Sequence, residues 1–204
     1  MVHAALHKPQ WKILKTLLGL KSFTLAGGSA LALQIGHRQS NDLDFFSSRT
    51  ISPSLIKQIQ RLFPTEQIQP IISTGDELTV FLEGVKVTFL FYPFPVLFKP
   101  LVEDNVTMFA PKEIAAMKSY TIGRRGSLKD YVDLYFLIKE KYTTLEEIVS
   151  MAEKKYQEVF NGRLLLEQLV FFDDIPDDKI VFLKHPVSRE KLRCFFEQAI
   201  RRFR

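Results

Sequence analysis

The sequence is poor in cysteine. Cys194 is the single one in 204 residues, which excludes an intramolecular disulfide and any cysteine-based metal cluster. Four histidines, His3, His7, His37 and His185, fall at spacings that match no metal-ligand motif. No Gly-x-Ser-x-Gly element and no Cys/His arrangement points to a hydrolase. No run approaches the ~18 apolar residues of a membrane span. The early residues, with His3, His7, Lys8 and Pro9, lack the apolar stretch of a secretory signal. Internal repeats and low-complexity segments are also missing. The expectation is a cytoplasmic protein with no membrane role.

What is present is enough apolar material for a core, 46% hydrophobic residues with 18 Phe. That suits one sizeable domain, or a domain with a helical extension. The formal net charge of +5 favours an acidic partner such as nucleic acid or a nucleotide. Residues 189–204 concentrate it, with Arg189, Lys191, Arg193, Arg201, Arg202 and Arg204 against Glu190 and Glu197. A second basic group is Lys118, Arg124, Arg125 and Lys129. The C-terminal group reads equally as a solvated face, and the second lies near the candidate site residues Lys118, Asp130 and Asp133.

The stretch that carries chemistry is residues 23–46. Phe23, Leu25 and Ala26 predict a short strand that breaks at Gly27-Gly28, and the apolar run from Ser29 predicts a buried helix ending at Gly36. Asp42-Leu43-Asp44-Phe45-Phe46 then predicts a strand, in which Asp42 and Asp44 share a face. Glycines let backbone approach a ligand, and a helix N-terminus offers free N–H groups to phosphate. Two carboxylates on one face repel unless a cation lies between them, and oxygen-only ligands suit Mg²⁺ or Mn²⁺ with substrate phosphates completing the shell. This is a layout for binding a metal–nucleotide.

Gly28-Ser29 followed by Asp42-x-Asp44 resembles the signature of DNA polymerase β-type nucleotidyltransferases. The fuller string, Gly27-Gly28-Ser29 through Gly36-His37-Arg38 to Ser40-x-Asp42-Leu43-Asp44-Phe45-Phe46, is similar to the AbiEii/AbiGii (MenT-like) toxin branch. A second block, Ala115–Lys118, Arg124-Arg125 and Lys129–Leu134, resembles that family's later motifs. The resemblance covers roughly residues 20–140. It implies an α+β (α/β) fold: a polymerase β-like mixed sheet flanked by helices, then a C-terminal helical part. The division is expected near residue 105, with a sheet-bearing core over 1–105 and helices over 106–204.

Along the chain, Trp11, Leu14, Leu17 and Leu18 predict a helix over 10–19, and Ser52-Pro53 predicts the start of another that stops before Pro64. Strands are expected at 66–73, 77–83 and 85–92, joined as antiparallel hairpins, with Pro93 and Pro95 ending the run. The resemblance implies a third acid on the last of these strands. Thr88 stands at that position, a departure that bears on a three-carboxylate site. Pro111 opens a helix that puts Lys118 on its packed face with Ile114 and Ile122, where it either snorkels or reaches a phosphate. Gly126-Ser127 precedes a helix to about residue 140. Asp130 reads as its capping-box acid or as a site residue. Asp133, a turn further in, reads as the partner of Lys118, Arg124 or Arg125, or as a site residue. Helices are expected over 145–156, 164–172 and from Ser188, the last with a basic back of Arg193, Arg201 and Arg204. Asp173, Asp174, Asp177 and Asp178 do not match a calcium loop and read as a solvated turn.

The resulting expectation is a metal-dependent nucleotidyltransferase moving NMP from NTP to an acceptor. Asp42 and Asp44 would bind Mg²⁺ or Mn²⁺. Gly27, Gly28, Ser29, Arg38 and Lys118 would meet the nucleotide, with Ser29 also readable as a helix cap. Lys118, Asp130 and Asp133 would join Asp42 and Asp44 in catalysis. The resemblance implies a tRNA acceptor, a growth-arresting toxin and a separately encoded antitoxin. The alternatives are transfer to a small molecule or protein, and an inactive relative that binds nucleotide or a partner.

Overall fold

The computed structural model describes residues 1–203, the side chain of Arg125 excepted. Residues 1–94 and 100–109 form one compact unit, and 95–99 with 110–204 the other. The first unit holds three helices, α1 (Lys8–Leu17), α2 (Gly27–Ile35) and α3 (Leu55–Leu62). It also holds strands β1 (Thr24–Ala26), β2 (Leu43–Ser47), β3 (Ile68–Ser73), β4 (Glu77–Leu82), β5 (Val85–Phe91), β6 (Leu101–Glu103) and β7 (Val106–Met108). These strands make one seven-stranded sheet in the order β3-β4-β5-β2-β1-β7-β6. β2 runs parallel to β5 and β1 parallel to β7, and the other neighbours are antiparallel. The mixed sheet with flanking helices is the α+β architecture expected from the sequence.

Alternation along β2 decides what faces where. Leu43, Phe45 and Ser47 are buried, whereas Asp42, Asp44 and Phe46 are half-buried. Phe45 stacks on Phe89 of β5 at 5.3 Å between ring centroids, and Phe23 meets Phe89 edge-on at 5.0 Å. One face of β2 is thus fixed by aromatic packing, at about 1.5–3 kcal/mol per buried Phe. A one-residue slip would put both acids into that core.

The structure departs from the sequence-based expectations at several places in this unit. The apolar stripe of α1 is Ile13, Leu14 and Leu17 with Gln10, while Trp11 lies beside it, stacked on His3. α3 begins at Leu55 rather than at Pro53, because Ser52 Oγ accepts from Ser54 N and closes a turn first. A hairpin, β6–β7, forms where no strand was expected. Its turn residues Asp104 and Asn105 both have positive φ, as a tight hairpin turn demands, and those two residue types tolerate it.

The second unit is helical: α4 (Pro111–Arg125), α5 (Leu128–Lys139), α6 (Leu145–Tyr156), α7 (Gly162–Gln168) and α8 (Arg189–Arg202). Thr144, Asn161 and Ser188 cap α6, α7 and α8 with their side-chain oxygens. α7 ends at Gln168, short of the expected 172. Among the described residues no helix is long and apolar enough to cross a membrane.

Candidate active site

In the first unit, the two acids sit against glycine backbone. A Cβ built on Gly27 would lie 2.7 Å from Asp44 Oδ2, and one on Gly28 would collide with Arg38 Nη2. Gly27 also has φ +62°, in the left-handed region that L side chains rarely adopt. Each glycine thus lies against a charged neighbour, a carboxylate at Gly27 and a guanidinium at Gly28. α2 starts at Gly27, two residues before the expected Ser29, with Ala26 as an N-cap that makes no side-chain cap bond. The capping reading of Ser29 does not hold.

Ser29 does something else. Its buried hydroxyl donates to the backbone carbonyl of Asp42, and its oxygen lies 2.9 Å from Ser40 Oγ. Ser40 is held from two further sides: its N–H donates to Ala5 O at 2.9 Å and its carbonyl accepts from Gln10 Nε2 at 2.8 Å. The segment leading into β2 is thus fixed by four polar contacts. The sequence reading missed Gln10 and gave Ser40 no role. The available signal was a polar residue at the i, i+3, i+4, i+7 stripe of α1 with Ile13, Leu14 and Leu17. Arg38 is almost wholly buried, and its Nη1 donates to Gln39 O at 2.9 Å. A guanidinium so placed presents planar donors whose geometry suits phosphate oxygens.

Thr88 is the β5 register partner of Asp44, and Thr79 of β4 is the partner of Thr88. Thr79 Oγ1 donates to Glu77 Oε1 at 2.6 Å and lies 3.3 Å from Thr88 Oγ1. No group of three or more His, Cys, Asp or Glu gathers among the described residues. The donor set at Asp42 and Asp44 is oxygen only and half-buried, with Gly27 packed against the Asp44 carboxylate. That chemistry fits a hard divalent cation such as Mg²⁺ or Mn²⁺.

Lys118, Asp130 and Asp133 belong to the second unit, where they gather around one ammonium. Lys118 Nζ lies 2.6 Å from Asp130 Oδ1 and 2.9 Å from Asp133 Oδ2, with Asp133 fully buried. Asp130 is also the capping-box acid of α5, its Oδ2 accepting from Ser127 N at 2.9 Å. Of the partners weighed for Asp133, Lys118 is present, Arg124 lies over the Tyr120 ring at 4.4 Å, and Arg125 lies outside the described side chains. The acidic turn is solvated as expected, with Asp173, Asp174 and Asp177 exposed, and three of its acids are also paired. Asp177 pairs with Arg189 at 2.7 Å, Asp173 pairs with Arg193, and Asp178 lies 3.9 Å from Lys129. Part of the basic back of α8 is neutralised by these pairs. Arg204 lies outside the described residues.

The family model for the nucleotidyl transferase AbiEii toxin of type IV toxin–antitoxin systems matches residues 14–203. The chain belongs to that family. This AbiEii-family chain is thereby a nucleotidyltransferase. An uncharacterized protein of Aquifex aeolicus is 31% identical to it over 206 residues, covering 97% of each chain. Among solved structures, MenT4, a nucleotidyltransferase toxin from Mycobacterium tuberculosis, superposes with TM-score 0.60 at 18% identity, over 93% of this chain and 80% of that one. JHP933 from Helicobacter pylori gives 0.56 at 18%, over 96% and 90%. At such identities the likeness to the AbiEii-family chain is one of fold.

Proposed function

We propose that the protein transfers NMP from an NTP to an RNA acceptor, a tRNA, and so acts as the toxin of a type IV pair whose antitoxin is encoded separately. The observation that carries this is the same-face pair Asp42 and Asp44 on the Gly27-Gly28 turn, with the Arg38 guanidinium at Gly28. An acceptor hydroxyl attacks the α-phosphorus, the bond to the β-phosphate oxygen breaks, and pyrophosphate and a proton leave. A divalent cation held by Asp42 and Asp44 supplies neutralisation of the phosphate charge.

The protein's own groups have these roles. Asp42 and Asp44 hold oxygens at fixed positions on an aromatic-backed strand. Gly27 and Gly28 keep the turn low enough for phosphates, and Arg38 donates to them. Ser29 fixes Asp42 through its carbonyl, so it acts on the site as a positioning residue. Within the second unit, Asp130 and Asp133 set the position of the Lys118 ammonium, a point charge suited to phosphate. Family membership supports NTP as substrate and an antitoxin as partner; the net positive charge supports a nucleic-acid acceptor.

The test is incubation with each α-³²P-labelled NTP, Mg²⁺ or Mn²⁺, and total bacterial tRNA, beside Asp42→Ala and Asp44→Ala. Label in tRNA with the wild type alone is the expected result. Label on an added small molecule, on the protein, or nowhere would overturn the acceptor or the activity respectively.

A further inference from the structure

The sheet face that carries Asp42 and Asp44 continues onto β5 and β4. Register pairs Asp44 with Thr88 of β5, so Lys86, two residues earlier, projects to the same face. Lys86 is paired in turn with Phe81 of β4. Asp42 and Lys86 each stand one residue before the first pair of their strands, Leu43 with Val87. The flanking residues Val80, Leu82, Val85 and Val87 are buried, whereas Lys86 is exposed and Phe81 is 41% exposed. Among the described residues Phe81 meets no other ring and Lys86 no carboxylate. An open ring beside an unpaired ammonium is the combination that holds single-stranded nucleic acid, a base stacking on the ring while phosphate meets the cation.

Topology separates this pair from the triphosphate. β2 lies between β1 and β5 in the sheet. The Gly27-Gly28 turn follows β1, with the Arg38 guanidinium against it, so the phosphate-type groups are on the β1 side of Asp44. In an in-line displacement the attacking and leaving oxygens stand on opposite sides of the phosphorus. Pyrophosphate leaves toward the glycine turn, and the acceptor hydroxyl arrives from the β5 side, where Lys86 and Phe81 are. Phe81 is two strands from β2, roughly 10 Å at the usual spacing, a distance that the last few nucleotides of a strand can span.

We propose that Phe81 and Lys86 form a docking platform for the single-stranded end of the acceptor RNA, Phe81 stacking a base and Lys86 meeting a phosphate behind the attacking hydroxyl. The proposal rests on the RNA-acceptor reading given above. The base must be unpaired to lie flat on the ring, so the platform selects a frayed or overhanging end over a duplex.

The probe is a 5′-fluorescein-labelled single-stranded RNA of about ten nucleotides, titrated against the full chain without NTP and followed by fluorescence anisotropy at several salt concentrations. Binding of α-³²P-labelled NTP is measured in parallel, and melting curves accompany each variant. Phe81→Ala should weaken RNA binding by about tenfold, the loss of one stacked base, and leave its salt dependence unchanged. Lys86→Ala should weaken it and make the slope of log affinity against log salt shallower by about 0.7, the share of one phosphate on a single strand. Phe81→Tyr keeps a stacking ring and should bind as the wild type does, which excludes a packing defect as the cause. NTP binding should be unchanged in all three. In the transfer assay Phe81→Ala and Lys86→Ala should raise KM for tRNA and not KM for NTP. RNA affinity unaltered in folded Phe81→Ala and Lys86→Ala overturns the platform and leaves nucleotidyl transfer by Asp42 and Asp44 standing. Weakened NTP binding with unaltered RNA binding overturns it too, and assigns the ring to the base of the incoming NTP. A wild type that binds no RNA and labels only a small molecule or a protein overturns both the platform and the RNA-acceptor reading.

Discussion

Replacing Gly27 by alanine tests whether the turn is built around Asp44. Two costs arise from the geometry. The φ of +62° penalises any L side chain by about 1–2 kcal/mol whatever else is present. The new Cβ would also stand 2.7 Å from Asp44 Oδ2, inside van der Waals contact, so the carboxylate has to swing away. The second cost depends on Asp44 and the first does not. Contacting residues couple by 0.5–3 kcal/mol, so Gly27→Ala is expected to cost about 2–3 kcal/mol in the wild type but only about 1–2 kcal/mol in an Asp44→Ala background. Urea unfolding of the four proteins, followed by circular dichroism, measures both. The displaced carboxylate predicts a loss of NMP transfer well beyond the loss of folded protein. An equal cost in both backgrounds, or full activity in folded Gly27→Ala, would refute the contact.

Other positions give separate checks. Ser29→Ala removes the donor to the Asp42 carbonyl and should cost about 1 kcal/mol without any nucleotide present; a serine that served phosphate alone would leave the nucleotide-free protein as stable as before. Lys155 is fully buried, donates to Glu113 and to Pro95 O, and burial holds its pKa below that of an ordinary lysine against the opposing effect of Glu113. Lys155→Met strands a buried carboxylate and should cost about 3–5 kcal/mol by urea unfolding, with part recovered in Lys155→Met/Glu113→Gln. Burial pushes the Tyr131 phenol well above the ordinary tyrosine range. The folded state then keeps this proton where the unfolded state loses it, so stability present below pH ~10 falls as pH rises beyond it. In Tyr131→Phe this part of the alkaline decline should vanish, while the lost bond to Gln168 O costs about 1 kcal/mol at neutral pH. An unchanged slope between pH 10 and 12 would contradict the assignment.

What the sequence disclosed was whatever has a local period or a local partner. Asp42 and Asp44 alternate with Leu43 and Phe45, so the exposed face of β2 is readable from spacing alone. Gly36 ends α2, and Ser127 with Asp130, three residues apart, caps the start of α5; both signals lie within one turn. What stayed hidden was made by register or by long-range side-chain bonds. Ser29 reads as a cap or a phosphate donor because nothing nearby announces that its hydroxyl reaches a carbonyl thirteen residues on. Gln10 looks like one more polar residue until Ser40 is placed beside it. Thr88 reads as a missing acid, and only the pairing of β4 with β5 brings Thr79 and Glu77 into line with it. The β6–β7 hairpin was lost because three-residue strands carry no periodic signal.

Nucleotidyl transfer that depends on Asp42 and Asp44 leaves a distinct label pattern. The most direct measurement runs α-³²P- and γ-³²P-labelled NTP side by side in the same acceptor reaction. The expected result is α label in the RNA and γ label released as pyrophosphate, in equal amounts, both absent from Asp44→Ala. Label from the γ position in the acceptor, or undiminished transfer by Asp44→Ala, would contradict it.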